Sequence, residues 1–321
     1  MHLIAAGSLL EFAIEEMPSF AVGRIRSIYL YPFSFEEFLL AQKENMLVDA
    51  FKQSGSKNPL SEPIHKELNK LLKIFLVVGG MPEAVAAYID TNSFLKSRMV
   101  MDDLITTFKS DFAKYKRRMP SAHIENVFES VASQAGNKFV YEHVAQLNNS
   151  QVKQSLELLI MAGLVIPVTH SSANGIPLGA EANFKRRKML LLDTGMFLRI
   201  LDLDASQIMI ADDFKAINMG ALVEMFVGLE ILKASSCYTP YHLHYWHREK
   251  KQSNAQVDYV IQKNNRIIPI EVKSGLKGAM PSLHLFMQEK NSEVGIRTSL
   301  ENFGNIDNIE IYPLYAISNI V

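Results

Sequence analysis

The stretch from Gln256 to Lys273 constrains the chain most. Two runs, Gln256-Val257-Asp258-Tyr259-Val260-Ile261 and Arg266-Ile267-Ile268-Pro269-Ile270-Glu271-Val272-Lys273, flank a short Asn264-Asn265 turn and predict a β-hairpin. Side chains alternate between faces along a strand, so Gln256, Asp258 and Val260 are expected on one face and Val257, Tyr259 and Ile261 on the other. Glu271 and Lys273 point the same way, with Ile268, Ile270 and Val272 opposite. If the register brings Asp258 beside Glu271, two carboxylates and an ammonium meet at one end of an apolar hairpin. Hard oxygen ligands of that kind suit Mg²⁺ or Mn²⁺. An ion pair on a strand surface explains Glu-Val-Lys without any chemistry.

Asp, twelve residues, then Glu-Val-Lys resembles the core of the PD-(D/E)XK nucleases. The resemblance implies that Asp258 and Glu271 hold the metal, that Lys273 orients or activates the attacking water, and that a glutamate on the preceding helix supports the site. Asn218 to Glu230 is helical in composition, and Glu224 matches that glutamate. Glu224 also has apolar neighbours on both sides, so it is expected to be paired, protonated or near a cation.

The 321 residues suggest two or three domains, and 48% hydrophobic with 21% charged residues exclude a disordered tail. Thirty-three basic against 34 acidic side chains give a net charge of -1, so nucleic-acid binding has to be regional. The single cysteine, Cys237, excludes an intrachain disulfide and a cysteine-rich zinc site. Met1 to Leu10 is apolar but lacks a positive leader region, and Glu11, Glu15 and Glu16 follow at once, against a signal peptide. No apolar run approaches the roughly 18 to 20 residues of a spanning helix. A cytoplasmic location without a membrane partner is expected.

The front of the chain carries a second resemblance. Met1 to Leu10 reads as a buried strand entering a turn and helix, followed by Val22-Gly23-Arg24-Ile25 and by Ile28-Tyr29-Leu30-Tyr31-Pro32-Phe33-Ser34-Phe35-Glu36-Glu37-Phe38-Leu39. This order resembles the second half of the ATPase module in a prokaryotic family of AAA+-like P-loop proteins with a C-terminal nuclease-like domain of unknown function. The resemblance implies that Ser8 senses the γ-phosphate and that Arg24 belongs to the nucleotide site. No Gly-Lys-Ser/Thr occurs, so the loop that cradles phosphates is missing, and the acidic strand that seats Mg²⁺ would precede Met1. No ATP hydrolysis is expected from this chain alone, and ATP is a ligand only if the missing N-terminal half is supplied. A truncated gene, a start codon assigned too late or an expressed fragment each explain the gap. A half module leaves strand edges open to a protein partner or to self-association.

Ser54 to Pro63 reads as a linker, and Ser61 to about Tyr115 as a helical lid with Ile64, Leu68, Leu71, Leu72, Phe75 and Leu76 near a 3.6 spacing. Gly79-Gly80-Met81-Pro82 either lies beside a nucleotide, as in related ATPases, or is a helix stop followed by a proline at the next helix's start. After the basic Lys114-Tyr115-Lys116-Arg117-Arg118, the pattern suggests a winged helix. Its helices are Ile124 to Ala132, a short one at Val140 to Gln146, and one from Asn149 to Leu159 capped by Asn149 or Ser150. Leu164 to Val168 and Lys188 to Leu192 are its strands, and His170 to Gly175 the wing. Gln151, Lys153 and Gln154 are candidates for DNA contact, and Lys185, Arg186, Arg187 and Lys188 for phosphates. Such modules also serve purely for protein interaction.

His242, His244 and His247 around Trp246 fit a strand better than a metal site, because His244 and His247 face opposite sides. With the helix from 282 and strands near 294–296 and 309–314, the C-terminal part has an α-β-β-β-α-β order. The expected architecture is a multidomain α/β chain: a partial AAA+-like core (1–55), a helical lid (56–118), a winged-helix-like middle (119–195) and a PD-(D/E)XK-like domain (196–321). The function expected is the lid and effector portion of an ATP-dependent DNA-associated protein. The alternative is a non-catalytic DNA- or protein-binding regulatory module.

Overall fold

The computed structural model describes residues 4, 26–115, 118–203, 205–210, 219–249, 253–275 and 278–321. The expectations for the opening strand, Ser8 and Arg24 lie outside the described residues, as do Lys116 and Arg117 of the first basic cluster.

Local signals set most helix ends. Helix α1 (Phe35–Ala41) starts at Ser34, whose hydroxyl accepts the Glu37 amide while the Glu37 side chain returns to the Ser34 backbone. Short α2 (Asn45–Lys52) leads to α3 (Glu62–Val78), which stops at Gly79 with φ 79°. Helix α4 (Pro82–Thr91) begins with its proline in the first turn and ends at left-handed Asn92, and α5 (Phe94–Asp111) follows. The Gly79–Pro82 segment is therefore a helix stop and restart, and it is also a junction. Gly80 N–H donates to the Asp193 carboxylate (2.6 Å), Phe33 N–H donates to Gly80 C=O (2.7 Å), and Lys233 Nζ donates to Phe33 C=O (2.8 Å). Phe35 N–H donates to Glu230 (3.1 Å), so the Phe33-Ser34-Phe35 entry to α1 is held by two buried carboxylate systems.

The middle segment departs from expectation in detail. Helix α6 (Ser121–Ser133) forms, but the second expected helix is a single 3-10 turn, Tyr141–His143. Helix α7 (Asn149–Met161) is capped by Asn148 rather than Asn149 or Ser150, through a reciprocal pair with Gln151. Gly163, at φ 71°, follows its end. Strands β1 (Val165–Ser171) and β2 (Ala182–Leu191) form an antiparallel hairpin, with β2 starting six residues earlier than Lys188.

Beyond α8 (Thr194–Ile200, capped by Asp193) and α9 (Ala205–Ile210) come α10 (Met219–Ala234), β3 (Leu243–His247), β4 (Gln256–Lys263), β5 (Arg266–Val272), α11 (Pro281–Lys290), β6 (Gly295–Ser299), β7 (Gly304–Ile306) and β8 (Ile309–Pro313). The α-β-β-β-α-β order is present from α10 to β6. Asn264 and Asn265 both have positive φ (48° and 62°), the backbone that a two-residue hairpin turn matching the strand twist requires.

All eight strands form one mixed sheet in the order β2-β1-β3-β4-β5-β6-β8-β7. Strand β1 pairs parallel to β3, Val168 opposite Leu243, so the sheet runs straight through the expected boundary at 195 and 196. The core is equally continuous: Phe35, Phe75, Leu156, Phe197, Phe226, Tyr259 and Tyr315 belong to one buried cluster. Helix α10 brings Phe226 and Leu229 to that cluster, whereas Phe286 of α11 packs against Trp246, Val257 and Val260 in a separate one. Eleven α-helices and one mixed sheet among the described residues thus form an α/β protein.

Candidate functional site

The β4 strand does not alternate throughout. Val257 packs with Val260 in the cluster around Trp246, while Tyr259 and Ile261 join the main core. The cause is a register shift on the β3 side, between the pairs His244 with Val260 and Trp246 with Val257. An extra residue in one strand bends it and re-aims a side chain. Val257 therefore does not share a face with Tyr259, and Asp258 stands at the irregularity.

The hairpin register itself is regular, ending at Tyr259 opposite Ile270, so Asp258 and Glu271 lie one step beyond the last paired residues. There the ladder bond is replaced by a side chain: Val272 N–H donates to Asp258 Oδ2 (2.9 Å). Lys273 Nζ donates to Glu271 Oε1 (2.7 Å). Glu224 enters from α10, whose position over β4 is fixed where the Tyr259 hydroxyl donates to the Glu224 carbonyl (2.7 Å). The Tyr259 ring approaches so closely that a Cβ at Gly228 would meet its hydroxyl at 2.4 Å.

A fifth residue completes the cluster. Lys188 of β2 was expected to face phosphates, yet its side chain is 1% exposed and its ammonium donates to Glu224 Oε1 (2.6 Å), 3.8 Å from Asp258 Oδ1. It also lies 5.3 Å from the Tyr245 ring. The reason is strand geometry: Lys188 sits in β2 immediately before buried Met189, Leu190 and Leu191, so its stem passes through the core. A basic run leading straight into Met-Leu-Leu was the signal available in the sequence.

Burial pushes the Glu224 carboxyl up to about 7 despite Lys188, and the Asp258 and Glu271 charges add to the rise. Burial also raises Glu271, to about 6, again with Asp258 contributing and Lys273 opposing. Burial alone would lower Lys188, but the Glu224 and Asp258 carboxylates outweigh it and hold the ammonium above the ordinary lysine range. Glu224, Asp258, Glu271 and Lys273 are thus brought together, with Glu271 Oε2 buried and without a hydrogen-bond partner.

The expected nucleic-acid residues separate. Lys153 and Gln154 are exposed on α7, while half-buried Gln151 serves the Asn148 cap. Lys185 is exposed and Arg186 bonds Glu249 (3.1 Å). Arg187 turns to Glu157 of α7 (2.8 Å), so neither it nor Lys188 extends toward a phosphate. Among the described residues no group of three or more His, Cys, Asp or Glu is arranged to hold a metal, the Glu224, Asp258 and Glu271 carboxyls included. No described helix is long and apolar enough to cross a membrane.

The fold and cluster define a mixed α/β protein in which an edge strand supplies a lysine to acids carried by α10 and by the central strands of the sheet. Residues 69–207 match the model of a domain of unknown function (DUF8612), and residues 219–317 match that of a second (DUF4143). The second often follows AAA ATPase domains in prokaryotic proteins, and neither match is to an ATPase. Lys188 falls in the first matched segment, and Glu224, Asp258, Glu271 and Lys273 fall in the second. No curated protein and no solved structure matched the chain.

Proposed function

We propose that the chain is the lid and effector portion of an ATP-linked, DNA-associated protein and that its C-terminal segment carries a nuclease-like phosphodiester-cleaving site. One observation carries this reading: Glu224 from a helix, Asp258 and Glu271 from adjacent strands and Lys273 beside Glu271 converge at one place. The donors are hard oxygens, and the buried Glu271 Oε2 has no partner, which fits a divalent cation. Asp258 and Glu271 would hold Mg²⁺ or Mn²⁺, which when bound acts as a Lewis acid toward a phosphoryl oxygen. Lys273 fixes Glu271 and places an ammonium where it orients water or an anionic oxygen. Glu224 keeps a third carboxyl close enough to hold a proton near neutral pH.

The ion pairs Lys188–Glu224 and Lys273–Glu271 favour a second reading, a non-catalytic DNA- or protein-binding regulatory module. Supercoiled plasmid with Mg²⁺ or Mn²⁺ separates the two. Metal-dependent nicking by wild type that Asp258→Asn abolishes is the expected result. Intact plasmid with DNA still retained at low salt supports the binding module, and no retention at all leaves a protein-interaction role.

A further inference from the structure

We propose that Lys188 is the resident cation of the acid cluster, closing it to divalent ions until its ammonium leaves. This deepens the nuclease-like reading and rests on its cation seat. Three carboxyl groups, Glu224, Asp258 and Glu271, share the cluster with two ammonium groups. Lys273 is committed to Glu271 at 2.7 Å, and Lys188 lies between Glu224 and Asp258 at 2.6 and 3.8 Å. With a side chain 1% exposed, Lys188 has no water-facing position in this arrangement, so an incoming metal ion has to displace it rather than share the space. The unpartnered Glu271 Oε2, on a side chain 9% exposed, marks an acceptor that one ammonium leaves unsatisfied and a second positive charge would satisfy.

The plug and the seat come from different parts of the chain. The acids belong to α10, β4 and β5, while Lys188 rides on β2, an edge strand paired with β1 on one side and bridged at Lys188 by Lys138 on the other. Arg187 bonds Glu157 on α7, and its carbonyl accepts the Phe139 N–H (2.9 Å), so β2 is tied to the middle segment as well as, through β1 and β3, to the acids' own strands. Lys188 takes part in neither the Asp258–Val272 nor the Lys273–Glu271 bond, so turning its side chain away from Glu224 leaves both in place.

Mn²⁺ binding to the full chain, followed by the electron paramagnetic resonance of free Mn²⁺, tests this without any cleavage reaction. Lys188→Met is expected to bind one Mn²⁺ about tenfold or more tighter than wild type, and the gain is expected to vanish in Lys188→Met with Asp258→Asn. Folding is checked by circular dichroism in each case. If Lys188→Met folds only when Mn²⁺ is present, the ion has replaced the ammonium and the proposal stands. If it folds under neither condition, Lys188→Gln, which keeps a hydrogen-bond donor for Glu224, is judged by the same criterion. Wild type binding Mn²⁺ as tightly as the folded variant overturns the plug while leaving the nuclease-like site in place. A folded variant with no gain in affinity overturns the plug too, and the plasmid assay then decides the nuclease-like reading separately.

Discussion

At the scale of single residues, the cluster holds more negative charge than a largely buried site easily carries. Glu224 is lifted from 4.5 to about 7 chiefly by burial, so the folded chain holds a proton that the unfolded chain releases between those values. For a carboxyl group raised on folding, stability is greatest at the acid end and is lost as pH rises toward the folded value. The loss is on the order of 3 kcal/mol when fully developed. Burial holds His65, His170 and His244 below the ordinary histidine value, which acts in the opposite direction. Comparing wild type with Glu224→Gln cancels the histidines. The variant is expected to lose less stability between pH 5 and 7.5, measured by urea unfolding at each pH. An identical pH profile in both proteins would show that Glu224 does not carry the extra proton.

At the scale of elements, the junction at Gly79 and Gly80 leaves no room for a side chain. A Cβ at Gly80 would lie 2.3 Å from the Phe33 carbonyl oxygen, and at Gly79 it would meet the Asp193 carboxylate at 2.2 Å. Gly80→Ala is expected to cost about 1–3 kcal/mol, read as a lower urea midpoint, because backbone rather than a flexible side chain has to move. An unchanged midpoint would mean that the Phe33 segment shifts freely. The same comparison shows what was legible in the sequence. The hairpin from Gln256 to Val272 was readable because its turn and most of its alternation are local. The break at Val257 to Tyr259 was not, since it arises from pairing with β3. The four acid-site residues followed from a spacing, yet Lys188 did not, because four consecutive basic residues read as one solvated patch. Along β2 they are divided instead between solvent, Glu249, Glu157 and Glu224. Asn148 was passed over as a cap because its neighbours Asn149 and Ser150 offer the same chemistry one and two positions later.

At the scale of the whole molecule, the sheet is the common property of both matched segments. No local pattern in the sequence announces the parallel pairing of β1 with β3, because the two strands are separated by β2, two helices and the whole of α10. That pairing leaves β2 and β7 as the only sheet edges among the described strands. A fragment of residues 196–321 is expected to associate or precipitate where the full chain stays dispersed, because it bares the pairing groups of β3. Sedimentation of the two proteins at matched concentration checks this, and a monodisperse fragment would show that β3 tolerates an open edge. The continuous sheet has a further consequence for how such a chain changes over generations. An acid pocket whose counter-charge is lent by a distant stretch of the polypeptide cannot be shuffled into another protein as a free-standing cassette. Lender and borrower have to be inherited together, or the borrower must first acquire a positive charge of its own.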